Sequence, residues 1–362
     1  MIQRKFIPGS QWLYFKYTRA SKRLMRFWRI PYGHSFGNCT QSMDRRQLFI
    51  RYNDPDFHIR LRLHIDRFEN YAPIFRRFEA LFQPLVENGA VIRVLCDTYV
   101  REIERYGANT MEPVERLFGI DSGAILELLE KIEELPTDTR ETTRWQLALA
   151  LLDDTMTAFG KTPDEKKTLF SRMAENFKKE FGFTSHSFTK QINDKYRRYR
   201  ADIEKALSDR EMFTDYDAIL QPRKSEIGKV AAEISRIQSS GLAVPTIDEL
   251  LGSISHMTMN RWFRTNNRQF ELVIYDFLTK YFESRSHGQS GLWKNNESIH
   301  SYSVKMKRES NINHAIADVL FRDMKTVSST TKASGCWPDR PALLSSANTI
   351  CKCFPIRRKR KF

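Results

Sequence analysis

The residues from 58 to 65 alternate without exception between polar and apolar side chains. The apolar set is Ile59, Leu61, Leu63 and Ile65, and the polar set is His58, Arg60, Arg62 and His64. Successive side chains of a β-strand point to opposite faces, so each set occupies its own side of the strand. The alternation therefore predicts a sheet with one apolar face and one face that carries four potential cations.

A second run of β-forming residues, 47–53, stands just before this strand. The linker Asn53-Asp54-Pro55-Asp56 is dense in turn residues, which favours a β-hairpin. The remaining elements of the first hundred residues are an extended aromatic run at 12–17, a helix at about 73–86 and a buried strand at 91–100.

The hydrophobic period changes to 3.6 between residues 121 and 284, which indicates helices. Two of these helices begin at clear capping boxes, Thr162 with Glu165 and Thr246 with Glu249, and Gly182 is placed to end the first of them. A further long helix runs from Phe188 to Leu207. The fold class predicted is α+β: an antiparallel or mixed sheet in the N-terminal part, packed with a helical C-terminal half.

The periodic pattern dissolves after Arg285, where Ser, Thr, Asn and Gly dominate apart from a short helical pattern near 316–321. This segment holds a net +9 of the chain's formal charge of +15. We expect an ordered domain at 1–285 and a basic, disordered tail at 286–362. Clustered positive charge attracts polyanions, so a basic nucleic-acid-binding or scaffold protein is one functional alternative, to which the Lys195–Arg200 cluster adds weight.

Several classes of protein and site are disfavoured by what the sequence lacks. It has no apolar run long enough to span a membrane and no secretory signal, so we expect a soluble cytoplasmic protein. Cys336, Cys351 and Cys353 have a poor spacing for zinc, and no metal site is expected. Phosphate-binding and dinucleotide-binding glycine loops are also absent, and no cofactor is expected.

Three segments carry residues suited to chemistry. The polar face of the 58–65 strand suggests an anion pocket, because Arg binds carboxylate or phosphate through two parallel hydrogen bonds. In segment 97–107, a helix would place Arg101 and Glu102 near Arg105 on its surface. The helix capped by Thr246 carries His256, the side chain type best suited to proton transfer near neutral pH. A solvated sheet face, a surface ion-pair ladder and a buried histidine are the plain structural alternatives.

In their order along the chain these motifs resemble one known family. They are Trp12, Phe49-Ile50-Arg51-Tyr52, His58-Ile59-Arg60-Leu61-Arg62, segment 97–107, Phe118-Gly119-Ile120-Asp121-Ser122, and His256-Met257 with Asn260-Arg261. Together, over roughly residues 10–285, they resemble the C-terminal elimination domain of lantibiotic dehydratases, also called the thiopeptide-type bacteriocin biosynthesis domain. The resemblance implies a lyase that removes glutamate from glutamylated Ser or Thr of a ribosomal precursor peptide, giving dehydroalanine or dehydrobutyrine.

The resemblance also implies the site residues and the partners. Catalysis would fall to His256, Arg105 and Arg62, and substrate binding to Arg60, Glu102, Asn260 and Arg261. The implied partners are the precursor peptide and a larger subunit that transfers glutamate from glutamyl-tRNA, while a homodimer and direct contact with tRNA stay open. Within the same family, the alternative is an enzyme that builds the pyridine ring of thiopeptides by cycloaddition.

Overall fold

The computed structural model describes residues 2–19, 47–53, 56–183, 186–241, 245–264 and 267–288. Its strands are β1 (Lys5–Phe6), β2 (Trp12–Arg19), β3 (Gln47–Asn53), β4 (Phe57–His64), β5 (Val91–Cys96) and β6 (Tyr99–Val100). Four of them form a sheet in the order β3-β4-β2-β5, and β1 pairs with β6. Every one of these pairs is antiparallel, and the predicted hairpin is confirmed as β3 and β4.

Helices make up most of the remaining described residues. They are α1 (Tyr71–Glu87), α2 (Ile103–Tyr106), α3 (Met111–Glu134), α4 (Thr137–Ala158), α5 (Pro163–Phe181), α6 (His186–Glu204), α7 (Asp217–Ser239), α8 (Ile247–Trp262) and α9 (Asn267–Gly288). The α+β prediction is confirmed. Helix α9 extends slightly past the predicted domain end, whereas residues 289–362, including the helix predicted near 316–321, lie outside the described residues. None of the described helices is long and apolar enough to cross a membrane.

The helix ends follow the sequence signals closely. Thr162 and Thr246 each accept a hydrogen bond from the backbone N–H of a glutamate three residues later, and each glutamate bonds back to its threonine. Gly182 ends α5 in the left-handed region at φ 67°, where a residue with a Cβ would be strained. The long helix predicted through Leu207 ends earlier as α-helix, at Glu204, and continues as a π-helical turn over Lys205–Asp209.

The apolar face of the sheet is covered by α1. The ring of Phe15 on β2 stacks on Phe78 at 4.0 Å, and the ring of Tyr17 lies 4.9 Å from that of Phe82. On β4, Ile59 and Leu61 are fully buried in the same layer. Because this face is used for packing, the arginines of β4 lie on the opposite face.

The outer edge of β3 is covered by α3 and α8, which fixes these helices against the sheet. Asn260 of α8 accepts a hydrogen bond from the N–H of Arg51 and donates one to the same residue's carbonyl, both at 2.9 Å. Arg261 donates from Nε to the carbonyl oxygen of Phe49, and the backbone N–H of Phe49 donates to the hydroxyl of Ser122 on α3. An edge strand otherwise presents unpaired backbone groups, and these side chains bond those of Phe49 and Arg51.

Two local predictions were wrong. The segment 91–100 is not one buried strand but two strands, and Ile92 and Leu95 of β5 are exposed because β5 is an outer strand that pairs only with β2 in the described sheet. Arg101 is not helical with Arg105, since α2 begins at Ile103. Arg101 is instead buried beside α3.

Candidate functional site

Arg62 lies on the polar face of the sheet, opposite Tyr14 in the register of β2 and β4. Its guanidinium carbon is 4.3 Å from the ring centroid of Tyr99 and 5.2 Å from that of Tyr14, so aromatic faces flank the cation. The residue is 9% exposed, and within the described part of the chain its Nε has no hydrogen-bond partner and no carboxylate forms an ion pair with it. Desolvation by burial lowers the pKa of Arg62. The nearby ionisable groups outweigh this effect and raise the pKa, with larger contributions from Tyr99 and Tyr14 than from Glu102.

Tyr99 is held in place by a buried ion pair. Its hydroxyl donates to Oε1 of Glu115 at 2.7 Å, and the Arg101 guanidinium binds both carboxylate oxygens at 2.8 and 2.6 Å. Glu115 is fully buried, which ordinarily demands such compensation. Arg101 therefore supports the aromatic wall beside Arg62 and is not part of a surface ladder.

Arg105 and Glu102 form an ion pair at 3.0 Å between Nε and Oε2. The Arg105 side chain is 18% exposed and that of Glu102 is 55% exposed, so the pair lies at the rim of the site. Both act on the buried phenol of Tyr106: burial and then Glu102 raise the pKa of Tyr106, while Arg105, Arg261 and Arg62 oppose the rise. The guanidinium carbon of Arg105 lies 5.9 Å from the Tyr106 ring centroid, so this ring adjoins the Arg105–Glu102 pair.

Arg60 lies on the same face as Arg62 but in a different environment. Its guanidinium carbon is 3.4 Å from the ring centroid of Tyr52, and its Nε donates to Nε2 of His58 at 3.1 Å. The neighbouring strand position holds Lys16, whose Nζ is 2.5 Å from Oδ2 of Asp97. Partial burial opposes ionisation of Asp97, but the hydrogen bonds from Lys16 and Thr98, with the charges of Lys16 and Arg60, lower its pKa.

His256 lies on α8 and makes its polar contacts with α9. Its Nδ1 is 2.9 Å from Oε2 and 3.0 Å from Oε1 of Glu271, and Tyr275 donates its hydroxyl to Oε1 at 2.6 Å. Glu271 is fully buried, and the His256 side chain is 14% exposed. In the described ranges no contact joins His256 directly to the arginines, but it stands one helical turn, about 6 Å of rise, before Asn260.

The side chains of Asn260 and Arg261 form hydrogen bonds with the backbone of β3. Arg261 is fully buried, and its Nη1 is 3.1 Å from Oδ2 of Asp121. Burial lowers the pKa of Arg261 and Asp121 opposes this. Both residues therefore connect the helix that carries His256 to the hairpin that carries the arginines.

A groove of about 480 Å³ between α3 and α7 lies away from this cluster. Its floor includes Ile120, Ala124 and Ile219, and its one arginine, Arg223, is ion-paired with Asp121 at 2.7 Å. The described residues contain no cluster of three His, Cys, Asp or Glu side chains that could hold a metal ion.

Four residues of the candidate site were not predicted from the sequence. The ring of Tyr99 flanks Arg62, and Glu115 accepts a hydrogen bond from the Tyr99 hydroxyl. Tyr106 adjoins Arg105, and Glu271 pairs with His256. Tyr99 and Tyr106 stand inside the segment 97–107 and could have been suspected from their closeness to Arg105. Glu271 lies on another helix, and no local pattern links it to His256.

Comparison with known proteins identifies the family of this chain. Residues 12–282 match the family described as Lantibiotic biosynthesis dehydratase C-term. The chain belongs to this family, and the resemblance inferred from its motifs is confirmed.

Two curated relatives share part of the chain. The subtilin biosynthesis protein SpaB of Bacillus subtilis is 26% identical over 268 residues, which are 72% of this chain and 24% of SpaB. The nisin biosynthesis protein NisB of Lactococcus lactis subsp. lactis is 30% identical over 138 residues, 38% of this chain and 13% of NisB. The matched regions thus span about a quarter or less of these relatives.

Two solved structures share the fold. The tRNA-dependent lantibiotic dehydratase MibB from Microbispora sp. 107891 matches with a TM-score of 0.62 and 20% identity, over 79% of this chain and 29% of that protein. The pyridine synthase TbtD from thiomuracin biosynthesis matches with a TM-score of 0.50 and 12% identity, over 76% of this chain and all of TbtD. At these identities the likeness concerns the fold alone.

Proposed function

We propose that this chain is a lyase that eliminates glutamate from glutamylated Ser and Thr of a ribosomal precursor peptide. The observation that carries the proposal is Arg62, a buried cation between two aromatic rings whose Nε has no hydrogen-bond partner in the described part of the chain. Arg60 lies on the same strand face as Arg62, and the guanidinium carbon of Arg105 lies 5.9 Å from the ring centroid of Tyr106. A surface with these arginines is suited to an anionic ligand, and the glutamyl group supplies a carboxylate. Membership of the dehydratase family adds the reaction context.

The reaction requires two bonds to break. The Cα–H bond gives up its proton, its electron pair becomes the Cα=Cβ bond, and the Cβ–O bond breaks with its electrons on the departing glutamate carboxylate. Preorganised cations stabilise the negative charge that develops on the leaving group and beside the peptide carbonyl. Arg62 and Arg105 are the cations for this role, and Glu102 orients Arg105 through their ion pair.

His256 is the proton-exchanging group of the proposed site. Because Nδ1 faces Glu271, Nε2 is the ring atom available to substrate. The resemblance implied that Asn260 and Arg261 bind substrate. Instead, their side chains bond the backbone of β3, and Arg261 also binds Asp121. We assign them the task of positioning His256 and the arginines relative to each other.

The proposed partners are the precursor peptide and a larger subunit that transfers glutamate from glutamyl-tRNA. MibB is named as a tRNA-dependent dehydratase, and this chain matches 29% of it. In the proposed split system the two steps are divided between two chains, and this chain acts in the cytoplasm.

Formation of a thiopeptide pyridine ring is the second candidate, because TbtD, which is named as a pyridine synthase, shares this fold over its whole length. That reaction expels no glutamate. Its leaving group therefore supplies no glutamate carboxylate for the arginines of the proposed site to bind. A nucleic-acid-binding role for Lys195–Arg200 is less favoured, because Arg197 and Arg200 are ion-paired within α6 and Tyr199 packs on Trp145.

The purified full chain, given a synthetic peptide with one glutamyl-serine ester, tests the proposal directly. The expected product is the dehydroalanine peptide with one equivalent of free glutamate, both identified by mass. A parallel reaction with a peptide that carries two dehydroalanines tests pyridine formation. Turnover of the second peptide without release of glutamate from the first would overturn the proposal in favour of the pyridine enzyme.

A further inference from the structure

The carboxylate of Glu271 is fully buried, and among the described residues it makes polar contacts with His256 and Tyr275. Of the described basic side chains, His256 alone lies within ion-pair distance of it, at 2.9 Å from Nδ1 to Oε2. Its other hydrogen bond comes from the Tyr275 hydroxyl, one turn further along α9. Removing a carboxylate from water costs several kcal/mol, so a glutamate here needs a compensating contact.

An aromatic ring packs beside the His256–Glu271 pair. The ring centroid of Phe177 on α5 lies 6.5 Å from that of His256 and 5.8 Å from that of Tyr275. Both oxygens of Glu271 are within 3.0 Å of Nδ1, so the ring cannot turn without losing its only described acidic partner. Nε2 therefore points away from α9.

We propose that Glu271 and Tyr275 are positioning residues that hold His256 in the tautomer with its proton on Nδ1. An ionised carboxylate accepts hydrogen bonds and donates none, so Nδ1 must be the donor and Nε2 the free lone pair. When Nε2 takes up a proton, the ring keeps its hydrogen bond from Nδ1–H to Glu271. The inference rests on the proposed function of His256 for its catalytic consequence but not for the tautomer itself.

Tyr275 has a defined part in this arrangement. Its hydroxyl already occupies Oε1 of Glu271 at 2.6 Å, which keeps the carboxylate plane turned toward Nδ1. Its loss leaves the His256–Glu271 contact in place but less restrained. The Tyr275→Phe variant should therefore lose less activity than the Glu271→Gln variant.

The first test needs no substrate. With ¹⁵N-labelled histidine in the full chain, a long-range ¹H–¹⁵N spectrum distinguishes the two neutral tautomers, and the His256→Ala variant assigns the signal. We expect a protonated Nδ1 in the wild type and a mixture of tautomers in Glu271→Gln, because an amide can accept from Nδ1–H or donate to a bare Nδ1. A wild-type signal with the proton on Nε2 would overturn the proposal, whatever the outcome of any activity assay.

The second test measures turnover of the glutamylated peptide. Glu271→Gln should lower kcat by about tenfold to a hundredfold, within the contribution expected of one acid–base group, with KM changed less than about twofold. Asp276→Asn is the matched control, since Asp276 is an equally buried carboxylate of α9 that binds Lys178 and Lys280 instead. Equal kcat values for the two variants, compared at the same folded fraction, would contradict a positioning role for Glu271. An inactive wild type with the expected tautomer would count against the proposed function alone.

Discussion

Asp121 of α3 is the acidic centre on which the sheet, α7 and α8 converge. Its Oδ1 accepts from Nη2 and Nε of Arg223 at 2.7 and 3.0 Å, and its Oδ2 accepts from Arg261 at 3.1 Å and from Thr258 at 2.9 Å. The carboxylate and both guanidiniums are at most 1% exposed. The Asp121→Asn substitution keeps the shape of the side chain, but the two buried arginines lose the negative charge that both of them bind.

Removing one partner of a buried ion pair costs about 3 to 5 kcal/mol, because the remaining charge is left in a poorly polarisable interior. We expect the free energy of unfolding of Asp121→Asn to fall by about that amount in urea titrations. The melting temperature should fall by about 6 to 10 °C, at roughly 2 °C for each kcal/mol in a large domain.

A surface ion pair provides the control. The Arg4–Glu104 pair joins side chains that are 50% and 58% exposed, so Glu104→Gln should cost less than about 1 kcal/mol. Thr258→Val, which removes a single hydrogen bond to Asp121, should cost about 1 kcal/mol. The reasoning would be refuted if Asp121→Asn were no more costly than Glu104→Gln.

Three further predictions concern the cap, the sheet face and the tail. Thr246→Ala removes the acceptor for the Glu249 N–H and should cost about 1 kcal/mol in urea unfolding. Because the pKa of Asp97 is lowered in the folded protein, its ionisation stabilises the fold above its ordinary pKa of about 4, and this contribution is lost as the pH falls through the lower folded value. The stability difference between wild type and Asp97→Asn should therefore be present at pH 7 and shrink at pH 3. Truncation after residue 285 should leave a soluble protein that unfolds cooperatively in calorimetry, and loss of the cooperative transition would show that residues after 285 contribute to the core.

The local elements were predictable wherever one short pattern determined the outcome. Strict alternation placed Arg60 and Arg62 on one strand face, and the register with β2 confirms that shared face. The capping boxes at Thr162 and Thr246 were visible because all their groups lie within four residues. Such features depend on neighbours in sequence and hardly on the rest of the fold.

The parts that failed depend on contacts between distant elements. Whether residues 91–96 are buried is decided by their outer place in the sheet, which hydrophobicity alone does not reveal. The local sequence around Arg101 predicts a surface residue, because it does not show that Glu115 of α3 lies beside Arg101 in the fold. The roles of the candidate site residues stay predictions, and Glu271 could be associated with His256 only once α8 and α9 were placed side by side.

The central claim is that Arg62, Arg105 and His256 serve the elimination step and not the glutamylation step. The most direct measurement supplies each Ala variant with the larger subunit, glutamyl-tRNA and precursor peptide, and follows the mass of the peptide over time. Attached glutamate raises that mass and lost water lowers it, so the two steps are read separately.

We predict that these three variants accumulate glutamylated peptide, with elimination slowed roughly a hundredfold or more, because each loses a group needed mainly in the transition state. His64→Ala is the control on the same sheet face, where His64 bonds Asp66 at 2.9 Å, and it should dehydrate the peptide nearly as fast as wild type. Full dehydration by the Arg105→Ala and His256→Ala proteins would contradict the proposed site and place pyridine formation first.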